Sequence, residues 1–225
     1  MKYIWLFTAS VIIHVASAQA QTPTSPPTNA AQTYNGLPLV WPPYTTVTVQ
    51  LNGVSFPPGS AVESAVEQGF INNQTAYSPN DGVTYTFVNI GSSAPSLAQN
   101  TLYVTSAWLP TPTAQSNTGQ WELAQWNSPT FISPAAEDYM TSGTLSINQS
   151  LVTPGSEWYS TTGVTFAASH GDSHYDGLGD CDSCPATSTI MSYQDSFPNP
   201  QITGPQASDS TVQSSISGLN YCPTQ

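Results

Sequence analysis

Apolar and polar residues alternate along Val47-Thr48-Val49-Gln50-Leu51, and this two-residue period predicts a half-buried strand. Pro57-Pro58-Gly59 then breaks the chain. Ser60, with Glu63 three residues on, forms a capping box. Ala61, Val62, Ala65, Val66, Gly69 and Phe70 follow at helical spacing, so an amphipathic helix is expected over 60–76. Val83–Ile90 and Thr101–Trp108 read as strands. Gly143–Leu151, with Leu145, Ile147 and Gln149 in alternation, reads as another. Residues 109–142 are too irregular to assign. A second helix is expected from about Ser156 to His174; Thr161-Thr162-Gly163 lowers its propensity, so tertiary packing must hold it. Ser208–Leu219 reads as a last helix, with Asp209 near its start. The order strand, helix, three strands, helix implies an α+β domain.

The N-terminal pattern is of another kind. Lys2 precedes a mostly apolar stretch from Tyr3 to Val15, followed by the small-residue sites Ala16-Ser17-Ala18 and Ala18-Gln19-Ala20. This is the pattern of a secretory signal peptide over residues 1–20, too short an apolar run for a membrane span. Residues 21–40, rich in Thr, Pro, Ala and Gln, read as a tether, with a leader strand lying on the domain as the alternative. Residues 41–225 are then one exported domain, secreted and without a membrane segment.

Charge sharpens this picture. The chain has one Lys or Arg against 13 Asp and Glu, and only 6% of its residues are charged. That one cation is Lys2, so its removal takes the net charge from −12 to −13 and leaves no Lys or Arg. A nucleic-acid partner, which needs a basic surface, is excluded, and so is attraction to anionic lipid. The mature chain would offer no cleavage point to proteases that require a basic residue. Its carboxylates repel one another less when protonated, which suits an acidic exterior.

Candidate chemistry gathers in His170-Gly171-Asp172-Ser173-His174-Tyr175-Asp176-Gly177-Leu178-Gly179-Asp180. His170 and His174 are the only histidines after residue 20, and at i, i+4 they share a helix face. Two imidazoles one turn apart can address one ion. A third ligand has to arrive after a turn, which Gly177 permits, and Asp180 is suitably spaced. Two surface histidines in chance register are the alternative.

With the spacing in view, the segment resembles the long zinc signature of the metzincin metallopeptidases, His-Glu-x-x-His-x-x-Gly-x-x-His/Asp. His170, His174, Gly177 and Asp180 match it in the variant whose third ligand is Asp. Ser188-Thr189-Ile190-Met191-Ser192-Tyr193 resembles the Met-turn, with Met191 beneath the metal. The resemblance implies a twisted mixed sheet with a backing helix, an active-site helix, a Met-turn and a C-terminal helix. It implies zinc as cofactor and a peptide or protein as substrate or ligand. In astacin-like and serralysin-like metzincins, a Tyr at the place of Tyr193 binds the metal or stabilises the transition state; an aromatic wall residue is the alternative role.

One departure decides the functional expectation. The general-base Glu of the signature is replaced by Gly171, which cannot accept a proton. Asp172 is a poor substitute, being about 200° around the helix from His170 where position 171 is about 100°. General-base catalysis contributes about 10²–10⁴-fold, or roughly 2.7–5.4 kcal/mol of barrier. The expectation is a metallopeptidase-like protein with lost or much reduced hydrolysis. The alternative is a non-enzymatic exported module binding peptide or polymer in the old cleft.

Three cysteines remain, Cys181, Cys184 and Cys222. In an exported chain they are disulfide candidates, and an odd count leaves one unpaired in a monomer. Cys181–Cys184 and a link from Cys222 to either both stay open. Two glycosylation sequons begin at Asn73 and Asn148.

Overall fold

The computed structural model describes residues 33–34, 37–38, 40–109, 124–131, 140–178, 190–191, 202 and 204. The stretch expected to be a signal peptide, most of the expected tether, Asp180, the three cysteines, Tyr193 and the expected tail helix lie outside these residues. Two short strands, β1 (Thr33–Tyr34) and β2 (Leu37–Pro38), pair antiparallel within the stretch read as tether. Val40 is buried, forms an antiparallel bridge with Asp176 and accepts a hydrogen bond from the Met140 amide at 2.9 Å.

A five-stranded sheet forms the body, in the order β4-β3-β5-β7-β6. Its strands are β3 (Thr46–Leu51), β4 (Thr84–Asn89), β5 (Thr101–Ala107), β6 (Ala124–Phe131) and β7 (Met140–Asn148). Every pairing is parallel except β6 with β7. The fold is therefore mixed α+β with a mostly parallel sheet. The period of two at Val47, Val49 and Leu51 puts all three side chains in the core. On β7 the alternation gives way, because this interior strand is buried along nearly its whole length. Strand β6 occupies part of the stretch that resisted assignment. It lies at the sheet edge, and its register shifts between Asn127 and Thr130, around Pro129, which has no N–H to give to a ladder.

Helix α1 (Ala61–Asp81) starts where the capping box places it. The Ser60 hydroxyl accepts from the Glu63 amide at 3.2 Å, and the Glu63 carboxylate reaches back to the Gly59 amide. The helix runs past 76 because Pro79 falls in its last turn and the stop is Gly82, at φ 70°. The strand expected to reach Leu151 stops at Asn148, whose side-chain oxygen accepts from the Ser150 amide and opens the short helix α2 (Gln149–Val152). Helix α3 (Thr161–Tyr175) begins later than the expected Ser156, at Ser160, whose hydroxyl caps the Gly163 amide at 3.0 Å.

Both long helices share the main core with the sheet. Phe70 of α1 meets Tyr85 and Phe87 of β4 edge-on, at 5.2 and 6.2 Å between ring centroids. A second cluster joins Val40, Tyr77, Phe166, Leu178, Ile190, Met191 and Ile202. Among the described residues, no helix is long and apolar enough to cross a membrane.

Candidate metal centre

Helix α3 carries three kinds of surface, and residues 170, 171 and 172 fall one on each, as steps of about 100° require. His170 and His174 lie one turn apart with ring centroids 4.9 Å apart and planes at 83°. His170 Nδ1 is 2.8 Å from the Ile190 carbonyl oxygen, and His174 Nδ1 is 2.9 Å from that of Leu178. A carbonyl only accepts, so each Nδ1 carries the hydrogen, and Nε2 is the ring atom left to offer a lone pair to a metal. Metal-ligating histidines are commonly held by the same device, which sets the tautomer and the ring plane. Phe166 lies one turn before His170, at 5.7 Å between centroids. Met191 and Ile190 are fully buried beside Leu178 in the second cluster.

The two imidazoles thus suit a zinc ion in donor type, tautomer and spacing. Asp180, the expected third ligand, lies outside the described residues, as does Tyr193. Among the described residues, no group of three or more His, Cys, Asp or Glu comes together as a metal site.

Gly171 faces β7. A Cβ on it would lie 2.5 Å from Cδ1 and 3.2 Å from Cδ2 of Leu145, which is fully buried. One turn on, Tyr175 fills the space over Gly143, where a Cβ would come within 2.7 Å of its ring, and the Tyr175 hydroxyl donates to the Thr144 carbonyl at 2.7 Å.

Asp172 faces the other way, into a polar seam against α1. Its Oδ2 accepts from Asn73 Nδ2 at 2.9 Å and its Oδ1 from the Tyr85 hydroxyl at 3.0 Å. Asn73 also donates to the Ser169 carbonyl and the Ser173 hydroxyl, and accepts from the Ser169 hydroxyl. Tyr77 meets Ser173 at 3.2 Å. Asp176 closes α3, 3% exposed, and its Oδ2 has no hydrogen-bond partner among the described residues.

No Lys or Arg follows Lys2, so no such cation can neutralise this seam. Burial pushes the Asp172 carboxyl well above the usual carboxylate range. Hydrogen bonds from Tyr85 and Asn73 pull it partly back, and Asp81 adds to the rise. Burial also raises Asp176, helped by the charges of Asp172 and Asp81. The Tyr85 phenol is raised by its own burial and then by the three carboxylates.

The sequence reading gives Asn73 only as a sequon and assigns no site role to Tyr77, Tyr85 or Ser169. The available signal was an Asn in the apolar stripe of α1, four residues after Gly69 and four before Tyr77. Both sequon asparagines are buried, and each amide nitrogen already donates, Asn73 as described and Asn148 to the Leu109 carbonyl at 3.2 Å. A glycan at either position would displace those bonds.

No protein-family model matches the chain, and no curated protein matches it. Solved structures are similar to it, two of them as follows. One is the structure of myroilysin, 13% identical, with 81% of this chain and 97% of that one covered at a TM-score of 0.38. The other is metalloproteinase-II from Bacteroides fragilis, 10% identical, with 86% of this chain and 58% of that one covered at a TM-score of 0.41.

Proposed function

We propose that the chain is an exported, zinc-holding protein of metzincin metallopeptidase type in which peptide-bond hydrolysis is lost or much reduced. One observation carries this reading. Two imidazoles one helical turn apart each give Nδ1–H to a backbone carbonyl, which turns both remaining lone pairs into defined ligand positions. His170 and His174 would hold the metal with Asp180. Met191, buried beside the Ile190 carbonyl that orients His170, suits the Met-turn role. Bound zinc supplies a Lewis acid that polarises a peptide carbonyl and acidifies water. The chain adds no general base at position 171, and Asp172 cannot stand in, because both its oxygens are engaged by Asn73 and Tyr85. Export rests on the pattern of residues 1–20.

Metal analysis of the purified protein tests this reading. About one zinc per chain is expected, with near-complete loss in His170→Ala and His174→Ala. Peptidase turnover should be at least about 10²-fold below that of a base-bearing enzyme. A wild-type protein that takes up no zinc would overturn the proposal.

The absence of a general base at Gly171 favours a second reading, a non-enzymatic module that binds peptide or polymer in the same cleft. Binding of a peptide ligand that survives chelator treatment would select it over the metal-dependent one.

A further inference from the structure

We infer that Leu145 fills the space that the first carbon of any side chain at position 171 needs, so that the missing general base is a packing feature shared by α3 and β7. The inference rests on the metal-site reading for its functional meaning and on packing alone for its physical content. Any side chain at position 171 begins with a Cβ. That atom would stand 2.5 Å from Leu145 Cδ1, 3.2 Å from Cδ2 and 3.4 Å from Cγ. One methyl carbon of Leu145 thus overlaps that point, the second is tighter than an ordinary contact and Cγ is at van der Waals distance, so making room requires the isobutyl group to turn.

The surroundings leave Leu145 little room to withdraw. It is fully buried in the main core, on a strand paired on both sides, and buried Val104 stands beside it in register. The neighbouring contact is its mirror image in size. Large Tyr175 on α3 meets Gly143 on β7, and small Gly171 on α3 meets large Leu145 on β7. Facing positions that alternate large and small interlock the two elements. Position 171 is therefore one quarter of a four-residue fit, and adding a carboxylate there alone breaks the fit before it can serve the site.

This places a limit on restoring hydrolysis. Gly171→Glu by itself supplies a carboxylate and also a clash. Paired with Leu145→Ala, the same substitution has the space in which its first carbons can sit. A side chain at 171 starts about 60° around the helix from His174, so an accommodated carboxylate rises beside the histidines.

The test is a double-substitution cycle on the full exported chain, read by thermal unfolding with and without chelator, by zinc content and by peptidase turnover. In an open helix interior Gly→Ala is stabilising. Here Gly171→Ala should lower Tm by about 2–8 °C in the wild-type background and raise it by about 2–4 °C in the Leu145→Ala background. This gentle variant keeps the packing claim testable even where Gly171→Glu alone fails to fold. With zinc bound, Gly171→Glu with Leu145→Ala should turn over peptide at least about 10²-fold faster than either single variant. A rise in Tm for Gly171→Ala in both backgrounds would overturn the inference. So would a zinc-loaded double variant no faster than Leu145→Ala alone. The sign change without any zinc uptake would support the packing inference while removing the metal reading.

Discussion

The two long contacts of α3 are built by opposite rules. Toward α1 the interface carries a buried polar seam. Asn73 sits between Ser169, Asp172 and Ser173, and the Tyr85 hydroxyl completes Asp172 from β4. Toward β7 the interface is a matter of volume, with Gly171 against Leu145 and Tyr175 against Gly143. A hydrogen-bonded seam is intolerant of losing one member, because every partner left behind is buried and unsatisfied. A size-matched wall is intolerant of added volume but accepts a compensated exchange. The seam thus sets where the histidines stand, and the wall sets what can stand between them and the sheet. In the proposed reading, the positions for metal holding and for proton transfer, which a peptidase needs together, are a single step apart along the helix.

The largest effect should come from breaking the seam at its centre. Asn73→Leu keeps the branched heavy-atom outline but strips donors from Asp172 and Ser173 and an acceptor from the Ser169 hydroxyl. A loss of about 4 kcal/mol is expected, at about 1–3 kcal/mol per buried unsatisfied group. Tm should fall by about 8–16 °C at that loss. A change of less than about 0.5 kcal/mol, the range of ordinary surface substitutions, would mean that the seam is not under load.

Next comes the spacing that makes the seam possible. A Cβ on Gly69 of α1 would lie 2.7 Å from Ala168 Cβ, 2.8 Å from the Thr165 carbonyl and 2.9 Å from the Ser169 amide. Two of these are backbone atoms and cannot swing aside. Gly→Ala in a helix normally gains about 1 kcal/mol, whereas forced overpacking costs about 1–3 kcal/mol. Gly69→Ala should therefore destabilise by up to about 2 kcal/mol in a denaturant titration. Stabilisation would show that α1 and α3 stand further apart than described.

These two contacts also mark what could be read before the fold was known. The start of α1 was legible because Ser60 and Glu63 are a local signal, and β3 because alternation is local too. The spacing of His170 and His174 was legible for the same reason, and helix geometry alone was enough to turn Asp172 away from them. The destination of Asp172 was not legible, since Asn73 and Tyr85 lie 99 and 87 residues away in sequence. Leu145 read only as an apolar strand position. That it fills the space beside Gly171 depends on the register of a helix on a strand, which no local pattern encodes. Strand β6 was lost because Pro129 argues against a strand wherever its place at a sheet edge is unknown.

The smallest effect separates seam from wall most cleanly, because it differs in kind. In chelator-treated protein, burial holds the Asp172 carboxyl well above its ordinary value, while the unfolded chain titrates it near 3.9. Between those two values the native state binds more protons than the unfolded state, so stability falls as pH rises. The contribution is fully present below about pH 3.9, and it is lost as pH climbs through the raised native value. Asp176 acts in the same direction, since burial and its carboxylate neighbours raise it too. The unfolding midpoint should therefore decline from about pH 4 toward neutrality. Asp172→Asn should flatten that decline. Tyr85→Phe removes a donor that favours the ionised carboxyl, so the decline should extend to higher pH. Leu145→Ala, a wall variant, changes volume and no proton, and its curve should lie below the wild-type curve at a constant offset. An Asp172→Asn curve parallel to wild type would place the pH response outside the seam, and the contrast between the two faces of α3 would then be one of packing alone.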